Sequence, residues 1–362
     1  MRVALVNMPW ASLDEPSIAL SLLKSLAERR GHPARVHYLN LHLGSRFVSP
    51  DLYTRLSFGL GIGEWIFSEQ LFGRFTANGT QHESFPDYLR TQGLTDRHVE
   101  EALAGKSKVA RFLDHCYQQA DWREVDLIAF TTTFYQTLAA AALARRIKEE
   151  HPDKVIVFGG ANCEDEMGEG LHRAFPFIDY VVSGEGDHSF PGLLDSLENG
   201  RPVDGVRGVW YRGDGESRFT GQAAVVQDLD DLPTPDFSDY FDTLAHLGMS
   251  SAQRDLVWLE ASRGCWWGAK SHCTFCGLND YTIGGRDKSA EKVLREIDEV
   301  TRRYPVTRIK FADNILSIRH FQTLLPRIKE RCEDGFDVLF FYETKANLKK
   351  EQVRLLRDAG VR

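Results

Sequence analysis

At 362 residues, with 42% hydrophobic and 27% charged residues, the chain has the make-up of a globular protein too long for one ordinary core, so two domains are expected. A formal net charge of −8 argues against a nucleic-acid surface, and the sequence shows no basic stripe and no interleaved stacking aromatics. No apolar run approaches the ~20 residues that span a bilayer, the first ten residues read as a strand rather than a signal peptide, and six cysteines, three of them clustered, suit a reducing cytoplasm.

Residues 2–8 are a short β-rich run that ends at Pro9. Residues 18–29 then have helical spacing, with Ile18, Leu22, Leu23 and Leu26 on one face, and Gly31 stops them; residues 34–39 read as a second strand. Strand, helix, strand is the opening of a parallel sheet. Residues 43–120 interrupt that rhythm with a glycine-spaced apolar stretch at 58–67 and then polar, mostly helical sequence. Gly59, Gly61 and Gly63 are no phosphate loop, since no Gly-Lys-Ser/Thr follows. A helical insertion is expected here, with a lid over a cofactor or peptide as its functional alternative.

The alternation then resumes. Strand 126–130 runs into Thr131, Thr132, Thr133 and Phe134, strand 154–158 into Gly159, Gly160 and Asn162, and strand 178–182 into Gly184, Glu185, Gly186 and Asp187, each followed by a helical segment (138–150, 167–174, 189–197). Ligands of open parallel sheets bind at such carboxyl ends, where glycine admits close approach and a helix N-terminus attracts anions. A nucleotide-binding sheet would give similar turns, and no complete Gly-x-Gly-x-x-Gly occurs. The pattern marks a ligand site without naming the ligand. Residues 205–210 with the turn at 213–215 read as a hairpin, and 228–236, carrying Pro233 and Pro235, as the connector between domains.

A second alternating series starts at Leu256–Leu259, an apolar run that leads into a loop with Cys265, Cys273 and Cys276 within twelve positions. Helix 290–304 places Val293, Ile297 and Val300 on one face. Strand 308–311 leads to Asp313 and Asn314, helix 321–332 follows, and strand 338–342 leads to Glu343 and Lys345, two apart and so on one face; a helix at 351–359 comes last. Three cysteines after a strand can hold an iron–sulfur cluster with one iron lacking a protein ligand. Zinc would want a fourth ligand: His272, awkwardly adjacent to Cys273, or Cys163 or Cys332 from a distance. Nothing points to secretion, so a disulfide is not expected, and Cys116, Cys163 and Cys332 read as ordinary core or free thiols. Spacing alone leaves cluster and zinc both open.

The arrangement resembles the radical S-adenosylmethionine enzymes, whose cluster loop follows the first strand of a barrel and whose commonest spacing, C-x3-C-x2-C, has an aromatic residue before the last cysteine. Phe275 is that aromatic here. The longer first gap, C-x7-C-x2-C, led by Ser262, Arg263 and Gly264, is similar to the radical enzymes that mature ribosomally made peptides, in which a cobalamin-binding domain precedes the radical domain. The resemblance covers essentially the whole chain. It implies an α/β protein: a doubly wound parallel-sheet cobalamin-binding domain at 1–227 with the helical insertion at about 43–120, a linker at 228–250, and at 251–362 the first half of a partial (β/α) barrel. The family's barrels carry more strand–helix units than three, so the expectation is a truncated chain or a separate polypeptide that supplies the rest.

For the site, the resemblance implies a [4Fe-4S] cluster on Cys265, Cys273 and Cys276, with S-adenosylmethionine chelating the fourth iron. Phe275 would lie near the adenine, Asp313 near the ammonium group, and Glu343 or Lys345 at cofactor or substrate. Thr131–Phe134, Gly159, Gly160, Asn162, Gly184, Glu185 and Gly186 match the cobalamin-facing turns. Many cobalamin domains carry Asp-x-His-x-x-Gly after the first strand; here the segment runs from Asn7 through Trp10 to Ser12, so no protein histidine is expected on cobalt. The implied reaction is methyl transfer to an unactivated carbon of a precursor peptide, with an electron donor such as flavodoxin or ferredoxin. Other expectations are a different radical modification, such as ring formation, and a non-catalytic cobalamin-binding scaffold. The plain structural alternatives are core filling for Phe275 and Trp10, a helix N-cap for Asp313, and an ion pair between Glu343 and Lys345.

Overall fold

The apolar runs of the first two hundred residues become one seven-stranded sheet. Its strands are β1 (Val3–Asn7), β2 (Ala34–Tyr38), β3 (Leu127–Thr131), β4 (Val155–Gly159), β5 (Tyr180–Val182), β6 (Val209–Gly213) and β7 (Glu216–Phe219), in the order β2-β1-β3-β4-β5-β6-β7. The computed structural model describes residues 1–58, 61–73, 85–91, 93–250, 254–277 and 282–362.

The first five strands are parallel, and the order 2-1-3-4-5 reverses between β1 and β3, as in a doubly wound fold. β1 and β3 are buried along their whole length, which is why each reads as an unbroken apolar run rather than an alternating one. β6 and β7 extend the sheet antiparallel to β5. Asp214 (φ 52°) and Gly215 (φ 83°) both take the left-handed conformation that a two-residue hairpin turn requires. The hairpin begins at Val209 rather than 205, because Val203–Gly205 is a single 3-10 turn.

Helices α1 (Ile18–Arg29) and, further on, α8 (Thr137–Glu150) and α9 (Asp165–Ala174) connect parallel strands, and α10 (Gly186–Glu198) follows β5. Between β2 and β3 come α2 (Leu39–Arg46), α3 (Pro50–Phe58), α4 (Ile62–Phe72), α5 (Phe85–Thr91), α6 (Asp96–Ser107) and α7 (Val109–Tyr117). Gly59 and Leu60 of the glycine-spaced stretch lie outside the described residues. Gly63, inside α4, has a steric reason: a Cβ there would lie 2.1 Å from Cδ1 of Trp10.

The chain divides into two compact units. One comprises Met1–Leu13, Ala27–Ala224 and Asp242–Met249; the other comprises Asp14–Leu26, Val225–Phe241 and Ser250–Arg362. The first part of α1 thus groups with the second unit, where Lys24 Nζ reaches Asp239 Oδ2 at 2.8 Å, Ser238 Oγ at 3.0 Å and Asp236 Oδ1 at 3.3 Å. Ser238 and Asp239 open a helix that the connector's composition did not announce, α11 (Ser238–His246).

The second unit carries a three-stranded parallel sheet in the order β12-β11-β8: β8 (Leu256–Leu259), β11 (Arg308–Phe311) and β12 (Leu339–Phe341). Two short strands, β9 (Ser262–Arg263) and β10 (Arg286–Asp287), pair antiparallel beyond β8. α12 (Ala290–Arg303) buries Val293, Ile297 and Val300 as its spacing predicts. α13 spans Leu325–Glu333 rather than starting at 321, since Pro326 is tolerated only in a first turn. α14 (Lys350–Asp358) closes the third strand–helix unit. Among the described residues no helix is long and apolar enough to cross a membrane.

Candidate functional site

β8 ends at Leu259, and six residues later the chain reaches Cys265. Gly264 is obligatory in that lead: its φ is +75°, and a Cβ would lie 2.3 Å from the carbonyl oxygen of Gly284. Cys265 N donates to Ile283 O at 2.9 Å, Gly268 N donates to Cys265 Sγ at 3.2 Å, and Cys276 N donates to Cys273 O at 3.1 Å. All three thiols are unpaired and half-buried. Among the described residues, no three of His, Cys, Asp and Glu lie close enough as they stand to hold a metal ion. His272 is exposed. Phe275 is 91% exposed, which removes core filling as its explanation.

The loop's lead segment is bolted down by buried charge. Arg263 grips Glu260 with both nitrogens, at 2.7 and 3.0 Å. Burial pushes the Glu260 carboxyl up, but Arg263 and Lys288 outweigh it and hold the group below its ordinary value. Lys288 Nζ lies 3.6 Å from Glu260 and donates to both oxygens of Glu296, at 3.0 and 2.9 Å. Asp313 is 2% exposed; its oxygens accept from Ala261 N and Ser262 Oγ, each at 2.8 Å. Burial pushes its pKa up to about 7 against those hydrogen bonds, and the charge of Glu260 adds to the rise. Asp313 caps no helix, since the next helical turn, Ile318–Phe321, has Ser317 as its N-cap. Glu343 is exposed and Lys345 half-buried, and they do not pair with one another among the described residues. Lys345 Nζ instead sits 2.9 Å above the ring of Trp267 in the cysteine loop.

In the first unit the residues singled out after β3 and β4 form a connected set. Thr132 N and Oγ1 both donate to Gly159 O, at 2.8 and 2.9 Å, and Asn162 Nδ2 donates to Thr132 O at 2.6 Å. Gly160 has φ +100°, and a Cβ there would lie 2.8 Å from Thr133 Oγ1 and 3.1 Å from Thr131 Oγ1. Phe134 is 74% exposed. Gly184 has φ +85°, and Glu185 and Gly186 begin α10.

Gln136 links the ends of β1 and β3: its Oε1 accepts from Met8 N at 2.9 Å and its Nε2 donates to Thr133 O at 2.6 Å. Glu64 of the insertion accepts from Thr137 N (3.0 Å) and Leu138 N (2.7 Å) at the start of α8. Trp10 is core, packed against Tyr53 with ring centroids 4.9 Å apart.

The donor set bears on the choice of metal. A closed zinc site wants four ligands, and two of the three candidates for the fourth place are poor. His272 points to solvent; Cys163 is buried against Thr132 Oγ1, and burial pushes its thiol up to about 12. Three free thiols in one loop fit a cluster with an open iron.

No model of a known protein family matches the chain. It is 26% identical over 241 residues to an uncharacterised methyltransferase of Pyrococcus horikoshii, covering 65% of this chain and 49% of that one. It is 25% identical over 191 residues to the cobalamin-dependent radical S-adenosylmethionine methyltransferase TokK of Streptomyces tokunonensis, covering 52% and 27%. It superposes with a TM-score of 0.62, at 16% identity, on the radical S-adenosylmethionine methyltransferase TsrM of Kitasatospora setae with cobalamin and a [4Fe-4S] cluster bound, covering 100% of this chain and 60% of that one. The chain is thus similar in sequence to methyltransferases, one of them a cobalamin-dependent radical S-adenosylmethionine enzyme, and it shares the fold of the solved methyltransferase. It spans half or less of the two relatives' own length. Within this fold, Gln136, Glu64, Glu260 and Lys288 are the supporting residues that sequence reasoning missed; only Gln136 had a signal, lying two residues beyond the marked turn at 131–134.

Proposed function

We propose that the chain carries the cofactor-binding units of a cobalamin-dependent radical S-adenosylmethionine methyltransferase acting on an unactivated carbon. The observation that carries this reading is the loop of three free, half-buried thiols just beyond the first strand of a parallel β/α series. Cys265, Cys273 and Cys276 would hold a [4Fe-4S] cluster, and Thr131–Phe134, Gly159, Gly160, Asn162, Gly184, Glu185 and Gly186 would face cobalamin. With S-adenosylmethionine these groups supply an adenosyl radical and a methyl donor.

The chain's own residues bind and orient. The exposed ring of Phe275 is free to stack on the adenine. Lys345 holds Trp267, and Glu343 presents an exposed carboxylate beyond β12, near where substrate would meet cofactor. Asp313 engages both oxygens within the protein, so in this structure it supports the loop rather than facing an ammonium group.

The C-x7-C-x2-C spacing supports a ribosomally made precursor peptide as the methyl acceptor, and a flavodoxin or ferredoxin of a reducing cytoplasm as the electron source. The test is anaerobic purification with iron and sulfide, followed by spectra with and without added cobalamin. The expected result is broad visible absorbance from the cluster, lost in a Cys265/Cys273/Cys276 triple alanine variant, together with corrin bands that survive desalting. Protein that takes up zinc and no iron would overturn the reading. Cleavage of S-adenosylmethionine without methyl transfer to peptide would move it to another radical reaction.

A further inference from the structure

The lead segment of the cysteine loop, residues 260–264, is reached four times by the stretch that follows β11. Asp313 takes Ala261 N and Ser262 Oγ, each at 2.8 Å; Asn314 Nδ2 donates to Gly264 O at 3.4 Å; and His320 Nε2 lies 3.4 Å from Ala261 O. One position further on, Trp266 Nε1 donates to Leu316 O at 3.1 Å. The same stretch holds the opposing strand, since Ser317 Oγ donates to Asp287 Oδ2 at 2.9 Å and Asp287 is the register partner of Ser262. Asp313, Ser317 and His320 are each 2% exposed, and Asp313 is the one that turns both of its side-chain oxygens to the lead. A carboxyl this deeply buried is costly unless it is bonded, and the lead supplies both bonds.

We infer that Asp313 is a positioning residue for the iron–sulfur cluster: its two hydrogen bonds to Ala261 and Ser262 fix the direction in which the chain leaves β8, and so the place of the Cys265 thiol. This rests on the reading of Cys265, Cys273 and Cys276 as the cluster ligands. Cys265 stands three residues beyond the Ser262 anchor, with Gly264 supplying the turn between them. By contrast, among the described residues the backbone hydrogen bond at Cys273 and Cys276 runs between those two residues, within the loop itself. The first thiol is therefore pre-placed by the scaffold, and the other two would close on the cluster from a loop. Groups that orient ligands from behind are worth about 10–100-fold in metal affinity.

The experiment compares the reconstituted full chain with D313A, D313N and S262A. It reads iron retained against a chelator, the electron paramagnetic resonance signal of the reduced cluster, and corrin retention as the check on folding. D313A removes both acceptors and is expected to retain iron about tenfold less well, with a shifted resonance signal and unchanged corrin retention. D313N is expected to recover most of the loss: its amide oxygen still accepts from Ala261 N, and its amide nitrogen donates to a turned Ser262 hydroxyl. S262A, which removes one bond and no charge, should move both readouts the same way by less, and stands in if D313A does not fold. Iron retention and resonance unchanged from wild type in the alanine variants would overturn the inference while leaving the proposed function intact. A wild-type chain that takes up no iron overturns that function, and the inference with it.

Discussion

Lys288 and Glu296 are 3% and 1% exposed, and their two hydrogen bonds at 3.0 and 2.9 Å make a buried ion pair beneath the cysteine loop's lead. Removing one partner of such a pair typically costs about 3–5 kcal/mol, because a charge is left buried without compensation. The geometry says where in that range each variant falls. In K288M, Glu296 keeps Lys292 Nζ at 3.4 Å, so the cost should sit near about 3 kcal/mol. E296L strands two lysines, and Lys288 is left with Glu260 at 3.6 Å, already gripped by Arg263; the cost should sit near about 5 kcal/mol. In the double variant only Lys292 needs a new arrangement, and its ammonium also donates to Leu232 O. That variant should therefore be more stable than E296L alone, giving a coupling energy of about 3 kcal/mol or more. Urea denaturation followed by tryptophan fluorescence measures all four proteins. Single variants within about 1 kcal/mol of wild type, or a double variant whose loss equals the sum of the singles, would refute the assignment of this pair as a structural pillar.

Three further outcomes follow from named contacts. G160A places a Cβ 2.8 Å from Thr133 Oγ1 at a φ of +100°, so it should cost about 1–3 kcal/mol and shed corrin faster on desalting; wild-type retention would separate this turn from cobalamin. E64A leaves the amides of Thr137 and Leu138 without their carboxylate, costing about 1 kcal/mol and speeding proteolysis within α4, which timed digestion reports. The Asp313 carboxyl, raised from 3.8 to about 7, keeps its proton in the folded chain where the unfolded chain releases it. Stability of the metal-free protein should then fall as pH rises from about 4 to 7, by up to about 4 kcal/mol, and D313N should flatten that slope; identical profiles would refute the assignment.

The parallel sheets were legible because buried strands advertise themselves: Val3–Asn7 and Leu127–Thr131 are apolar throughout, and each is followed by small or hydroxylated residues where the chain turns. The cysteine loop was legible because thiols are rare and their spacing is local. What stayed hidden is what depends on partners distant in sequence. Glu260 looks like any surface glutamate until Arg263 and Lys288 are seen around it. Asp313 sits where a ligand contact is expected, yet its oxygens are turned to residues more than fifty positions earlier. Helix starts shifted for the same kind of reason: Pro326 sets the beginning of α13 by backbone geometry, whereas the apolar spacing suggested an earlier one. α11 was missed because Pro233 and Pro235 just before it made the whole stretch read as connector.

The split membership of α1 bears on how the chain is made. Lys24 leaves the ribosome early, but Asp236, to which it bonds, follows 212 positions later. At about 5–20 residues per second, that wait is about 10–40 s. Through that interval the amphipathic start of α1 has no finished surface to rest on and is a natural client for a holding chaperone. The same stitch warns the protein engineer: a fragment begun at the proline-marked connector would lack residues 14–26 and leave Asp236 and Asp239 without their lysine.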